Sequence, residues 1–119
     1  MRLKKTFRIG NFIYFCAQKR EMKISGAIII EEFCRKHTDT VDAMAKWVEF
    51  VSKAKWKNHN DLKEDYPTAD YVGNKRYVFN IKGNHYRLIV AVVFIADIVD
   101  IRFIGTHAEY DKINDIQNL

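Results

Sequence analysis

The stretch GTHAEYDK, residues 105–112, sets His107 and Tyr110 one helical turn apart, behind a threonine able to start a helix. Thr106 and Glu109 stand in the S/T-x-x-E spacing of a reciprocal cap, in which each side chain meets the other's backbone amide. That accounts for the threonine and the glutamate, and leaves the imidazole and the phenol for chemistry. An imidazole takes or returns a proton near neutral pH. A phenol can donate to a leaving oxygen or stack on a base. A lone histidine beside a cap is more often structural, so the case depends on what stands around it.

Arg87 and Arg102 lie in neighbouring strand-like runs and can converge on the same side as His107 and Tyr110; the plainer alternative pairs each with a carboxylate such as Asp70 or Asp100. Lys82 and Asn84 flank Gly83 at a turn, where solvation and turn chemistry are the ordinary uses. Lys75, Arg76, Asn80 and His85 add polar groups nearby, His85 more readily as a surface residue than as a catalyst. The sequence has no metal-ligand constellation, glycine-rich phosphate loop, nucleophile elbow or paired carboxylates on this surface, and no cofactor is expected. Cation, imidazole and phenol suit cleavage of an RNA phosphodiester by its own 2′-hydroxyl. A base takes one proton, an acid returns one, and arginine or lysine steadies the charge gathering on phosphorus.

The elements that must position these groups are legible as changes of period. ISGAIII reads as a short strand running into a helix, and AIIIEEFCRKH places Ile28, Ile29, Phe33 and Cys34 at helical spacing. Val41, Met44, Trp47, Val48 and Val51 repeat at i, i+3 and i+4, with Thr38 or Thr40 as the cap and Lys46, Glu49 and Lys53 on the wet side. The short connection predicts an antiparallel pair of helices. KNHNDLKEDYPTADYVGN reads as loop, broken at Pro67, with ADYVG as a short strand. KRYVFNIK, HYRLIVAVVFI and IVDIRFIG then read as three strands. Gly83-Asn84 makes a hairpin in which Lys82 faces His85 and Asn80 faces Arg87. Alternation puts Tyr77, Phe79, Ile81, Tyr86, Leu88, Val90, Val92, Phe94, Val99, Ile101 and Phe103 on one side, to be covered by helices. Arg76, Asn80, Lys82, His85, Arg87, Arg102 and Thr106 share the other with Val78, Ile89, Ala91 and Ile104. A last helix is expected over 108–118.

Charge is informative only once located. The net +5 rests on residues 1–21, which hold six of the 20 basic residues and one of the 15 acidic ones, so the remaining stretch is neutral. Bulk charge is therefore no argument for nucleic-acid binding. Local sorting is different: no carboxylate falls between Asp70 and Asp97, while Lys75, Arg76, Lys82 and Arg87 all do, and a merely solubilising surface would mix signs. Residues 1–21 carry only the six-residue apolar run FIYFCA, too short for a bilayer. They read as a basic extension, with Met22 an alternative or native start and 22–119 a single domain. Cys16 and Cys34 fit neither a disulfide framework nor zinc, and a reduced, cytoplasmic setting without a membrane is expected.

Residues 77–113 resemble the HigB mRNA interferases, toxins of type II toxin–antitoxin modules within the RelE superfamily. The likeness rests on F-N-I-x-G-N-x-Y-R-L, on I-R-F at 101–103 and on T-H-x-E-Y-D. It extends more loosely over 22–119. It implies an α+β, RelE-like fold: an N-terminal helical hairpin on one face of a three- to four-stranded antiparallel sheet, with a short C-terminal helix. It further implies endoribonucleolytic cleavage of mRNA, typically in the ribosomal decoding site, and neutralisation by a HigA-type helix-turn-helix antitoxin. Carried over residue by residue, the family's basic strand residues fall on Asn80 and Lys82, its arginine on Arg87, and its C-terminal polar groups on His107 and Tyr110. Asn80 stands where RelE proper often has lysine, and the neutral body departs from the basic members. Arg87 and Lys82, supported by Arg102, are the expected phosphate stabilisers, with His107 and Tyr110 for proton transfer; Lys75, Arg76, Asn80, Asn84 and His85 are the expected RNA contacts. The rival reading is a non-catalytic module on the same fold that binds RNA or a protein partner. A small-molecule enzyme is disfavoured by the lack of a cofactor motif.

Overall fold

The computed structural model describes residues 21–119 and, ahead of them, the backbone of two paired antiparallel strands, β1 (Lys4–Ile9) and β2 (Phe12–Ala17). Apart from that pairing, the expectations for residues 1–20 lie outside the described residues. The chain continues as β3 (Lys23–Ser25), α1 (Ala27–Lys36), α2 (Val41–Lys53), α3 (His59–Asp65), β4 (Asp70–Gly73), β5 (Arg76–Ile81), β6 (Tyr86–Val93), β7 (Ile98–Thr106) and α4 (His107–Asp111).

The β5–β6 hairpin sets the register of everything else. Asn80 stands opposite Arg87 and Ile81 opposite Tyr86, as the Gly-Asn turn requires. The His85 amide donates to the Lys82 carbonyl at 3.3 Å across that turn. Lys82 itself has φ 53° and Gly83 φ 66°, so Lys82 leaves the strand and drops out of its alternation. Tyr77, Phe79, Leu88, Val90, Val92, Val99 and Ile101 are buried on one side of the sheet, in a single core with Ile30, Met44, Trp47, Val48, Val51, Trp56 and Leu62. Along α1 the buried positions are Ile30 and Cys34, while Ile28 faces solvent. Met22 is fully buried in the same core, its amide on the Ala54 carbonyl at 3.0 Å.

Several expectations are corrected. The sheet has five strands in the order β3-β7-β6-β5-β4 and is mixed, because β3 runs parallel to β7. A parallel partner needs a crossover, which α1 to α3 and strands β4 to β6 supply. The turn from β3 into α1 brings Gly26, at φ 78°, so near β7 that a Cβ would lie 2.7 Å from the Ile101 carbonyl oxygen. Thr40 occupies the cap position of α2 without capping it, since its buried hydroxyl donates to the His37 carbonyl at 2.7 Å. The segment read as loop contains α3, started by Asn58, whose side chain accepts from the Asp61 amide at 2.9 Å, and seated by buried Leu62.

The most consequential correction is in β7. The pairing slips between Ile89 and Val90: Val90 faces Ile101, but Ile89 faces Phe103, so Arg102 is an extra residue. Past it every side chain exchanges sides. Ile104 and Thr106 pair with Leu88 and Tyr86 of the core side, and Phe103 stands with Ile89 on the other. The expected long final helix is only α4, followed by a 3₁₀ turn at Ile116–Asn118. The chain then folds back across the non-core side of the sheet. Gln117 donates to the Val72 carbonyl at 2.9 Å, and the Leu119 carbonyl oxygen accepts from both Arg76 and Arg102. Val78, Ile89 and Ala91 are buried on that side.

Candidate active site

Four of the singled-out side chains meet where β6 begins and β7 ends. Thr106 accepts from the Glu109 amide at 3.1 Å while Glu109 accepts from the Thr106 amide at 2.8 Å, so the reciprocal cap fixes the first turn of α4. That turn aims His107 back at Arg87, whose Nη2 lies 3.0 Å from His107 Nε2. The same nitrogen donates to Asn84 Oδ1 at 3.3 Å, and the guanidinium lies over the Tyr110 ring, 5.0 Å from its centre. A cation on a phenol face at this range is worth about 0.5–2 kcal/mol, enough to orient the arginine.

The hydrogen-bond directions decide the state of the imidazole. A guanidinium has only donors. His107 Nε2 must therefore accept, which puts the ring proton on Nδ1, where Asp111 Oδ2 receives it at 3.2 Å. The unshared pair on Nε2 is the group able to take a proton, and Asp111 stands behind the ring to steady the imidazolium that would result. Asp111 was not singled out from the sequence. The signal was its position four residues after His107, on the same helical face.

The remaining candidates are elsewhere. Lys82, expected beside Arg87, turns to the helix side, where its Nζ is 2.9 Å from Asp39 Oδ2. Tyr86 donates to the same carboxylate at 2.8 Å. Lys82 and Tyr86 together hold the Asp39 carboxyl below its ordinary range, the lysine contributing most. Asp39 in turn pushes the Tyr86 phenol up. Arg102 pairs with Asp100 at 2.7 Å, one of the carboxylates named as its plainer partner. It shares the Leu119 carbonyl with Arg76, whose Nη1 also donates to the Asn74 carbonyl at 2.9 Å. Lys75 lies in the β4–β5 turn at φ 67°, well along the sheet from Arg87. His85 Nδ1 contacts the Lys82 carbonyl at 2.9 Å, and exposed Asn80 is the cross-strand neighbour of Arg87. Among the described residues no group of three or more His, Cys, Asp or Glu could hold a metal ion, and no helix is long and apolar enough to cross a membrane.

The Asp39 linkage has a testable sign. A carboxyl whose folded value is depressed adds stability above its unfolded value, about 4, and loses it as pH falls through the lower folded value. Asp39→Asn should therefore melt below the parent at pH ~7, and the gap should be narrower at pH ~3. A gap equal at both pH values in thermal unfolding would show that the Lys82–Asp39 charge pair carries none of it.

Arginine, imidazole and phenol are thus gathered at one end of a β-hairpin in an α+β layer, and comparison with known proteins gives the family. The family HigB_toxin, described as the RelE-like toxic component of a toxin-antitoxin system, matches residues 40–113. The match covers more than half of the chain, and the chain belongs to this family. The mRNA interferase HigB of Escherichia coli O6:H1 strain CFT073 is 27% identical over 94 residues, covering 77% of this chain and 91% of that protein. The mRNA interferase toxin HigB of Escherichia coli strain K12 is 38% identical over 64 residues, covering 51% of this chain and 61% of that protein.

Proposed function

We propose that this chain is an mRNA interferase: an endoribonuclease that cleaves mRNA, arrests translation and growth, and is neutralised by a HigA-type antitoxin. The observation that carries the reading is the 3.0 Å contact between Arg87 Nη2 and His107 Nε2, stacked over Tyr110. A phosphate seated on Arg87 competes for that guanidinium donor and releases the Nε2 pair. Nε2 then takes the proton of the 2′-hydroxyl as its oxygen attacks phosphorus, and Asp111 holds the resulting imidazolium through Nδ1. Arg87 meets the negative charge of the five-coordinate phosphorus. Tyr110 gives its proton to the departing 5′-oxygen, leaving a 2′,3′-cyclic phosphate and a 5′-hydroxyl. Lys82 and Arg102, each on a carboxylate, take no step in this scheme.

The reading extends to the ribosome. Residues 22–119 carry no net charge and so exert little general attraction for free RNA. A ribosome holding mRNA in its decoding site would supply the positioning, and would place the reaction in the cytoplasm.

Primer extension on cellular mRNA after induction is the test. New 5′ ends inside translated codons are expected; unchanged transcripts despite growth arrest would replace the enzyme with a binding module. His107→Gln keeps an acceptor for Arg87 but cannot transfer the proton, and should lower cleavage by roughly 100- to 10,000-fold. Parental cleavage by that variant would remove His107 from the chemistry.

A further inference from the structure

At the opposite end of the sheet from Arg87, a cleft of about 660 Å³ opens between the start of α3 and the end of β6. Its walls include His59, Tyr71, Tyr77 and Phe94, with Ile95 on its rim. The aromatic groups brace one another: His59 Nδ1 is 2.7 Å from the Tyr77 hydroxyl, and the Tyr71 and Tyr77 rings are 5.1 Å apart. Two large apolar side chains beside the opening face water. Tyr71 is 54% exposed and Ile95 97%, so Ile95 contributes next to nothing to the packing of its own chain. Isolated exposed apolar residues are ordinary. Two of them at the mouth of one apolar cleft are a surface waiting for a partner.

The chemistry of the lining selects the occupant. Lys57 and Lys75 are its charged members, and no carboxylate belongs to it. Val92, Val93 and Ile95 are aliphatic and suit an apolar side chain better than a nucleotide, which would stack on an open aromatic face. An apolar protein segment flanked by carboxylates fits both properties. We propose that this cleft is the docking site of the antitoxin, which inserts such a segment between Tyr71 and Ile95 and sets its acidic groups on Lys57 and Lys75. The proposal rests on membership of a toxin–antitoxin family and not on the cleavage mechanism. From Lys75 to the hairpin tip the strand covers about 20 Å, so this contact leaves Arg87 and His107 uncovered. Binding and cleavage can therefore be read separately.

The test uses the full chain and the antitoxin encoded at the same locus, labelled for fluorescence anisotropy. Ile95→Asp should weaken binding by roughly 30-fold or more, as loss of an anchor in an interface does. Lys57→Glu should also weaken it and flatten its dependence on salt. Both should arrest growth like the parent when expressed alone, and go on doing so beside the antitoxin. Parental affinity in the Ile95→Asp variant overturns the proposal. Loss of arrest in the absence of antitoxin overturns it in favour of an RNA or ribosome contact. A parent dimer dissolved by Ile95→Asp, with antitoxin binding intact, overturns it in favour of a second copy of the chain. If the parent binds antitoxin through the cleft yet cuts no mRNA, the proposed function falls and this inference stands.

Discussion

Replacing Arg87 with alanine should lower mRNA cleavage by roughly 100- to 1000-fold while leaving the fold in place, the size of effect seen when one preorganised donor to a developing oxyanion is removed. Arg87 is the hub of the site. Its Nη2 reaches both Asn84 and His107, and its plane rests on Tyr110. The substitution therefore removes the proposed phosphate donor and at the same time a hydrogen bond to the imidazole. Stability should move little, by about 1 kcal/mol or less, because the residue stands at the edge of the core and its buried Nε has no partner to lose. Arg87→Lys separates charge from geometry. It restores a cation but not a planar fork able to face a phosphate, a histidine and an aromatic ring together. It should recover only a minor part of the rate. Growth arrest and primer-extension signals at equal expression are the readouts, with a thermal melt alongside. Arg87→Ala cutting at the parental rate would leave the proposed chemistry without its phosphate-holding group.

What could be read from the sequence and what could not divides along one physical line, between local order and contacts that cross the chain. The Gly83-Asn84 turn and the alternation of β5 and β6 are local, and they placed Asn80 opposite Arg87 and sorted the core side of both strands correctly. The Thr106–Glu109 cap is local and present as expected. The bulge at Arg102 has no such signature. A single extra residue in β7 is invisible to counting by twos, and it reverses Phe103, Ile104 and Thr106 together. The α3 helix was masked by its seven-residue length and by Pro67 just beyond it.

The same division explains the candidate site. The stretch without acids between Asp70 and Asp97 is real as sequence, but two of its four cations, Lys82 and Arg76, find oxygen partners brought in from far along the chain. Lys82 meets Asp39, 43 residues away, and Arg76 meets the Leu119 carbonyl, also 43 residues away. Cation sorting along the sequence therefore does not show which cations are left without an acceptor. Arg87 differs from Arg76 and Arg102, which both reach the Leu119 carbonyl: its partners are an amide, an imidazole and a phenol face. Its surroundings still suit an anion, with no carboxylate among its hydrogen-bond partners.

Phe79→Ala should be the most damaging single change to the fold, destabilising it by about 3–5 kcal/mol. Phe79 is 1% exposed, at the centre of β5. Its ring meets Trp47 of α2 edge-on, with centres 5.4 Å apart, and Tyr66 after α3 at 5.0 Å. It is thus the point where the sheet, the long helix and the short helix share one contact, and its removal leaves a cavity bounded by large rings that cannot all move inward. A domain of this size has only about 5–15 kcal/mol to lose, so the melting midpoint should fall by roughly 10–20 °C. Phe50→Ala is the control. Phe50 makes a similar edge contact with Tyr66, centres 5.4 Å apart, but is 48% exposed, and its loss should cost about 1 kcal/mol or less. If both variants melt alike, aromatic pairing rather than burial holds the layers together. Well below its midpoint, Phe79→Ala should still cleave at close to the parental rate per folded molecule. Phe79 points into the core, while its neighbour Asn80, across from Arg87, points out. A rate that dropped with stability intact would instead tie the position of Arg87 directly to the packing beneath β5.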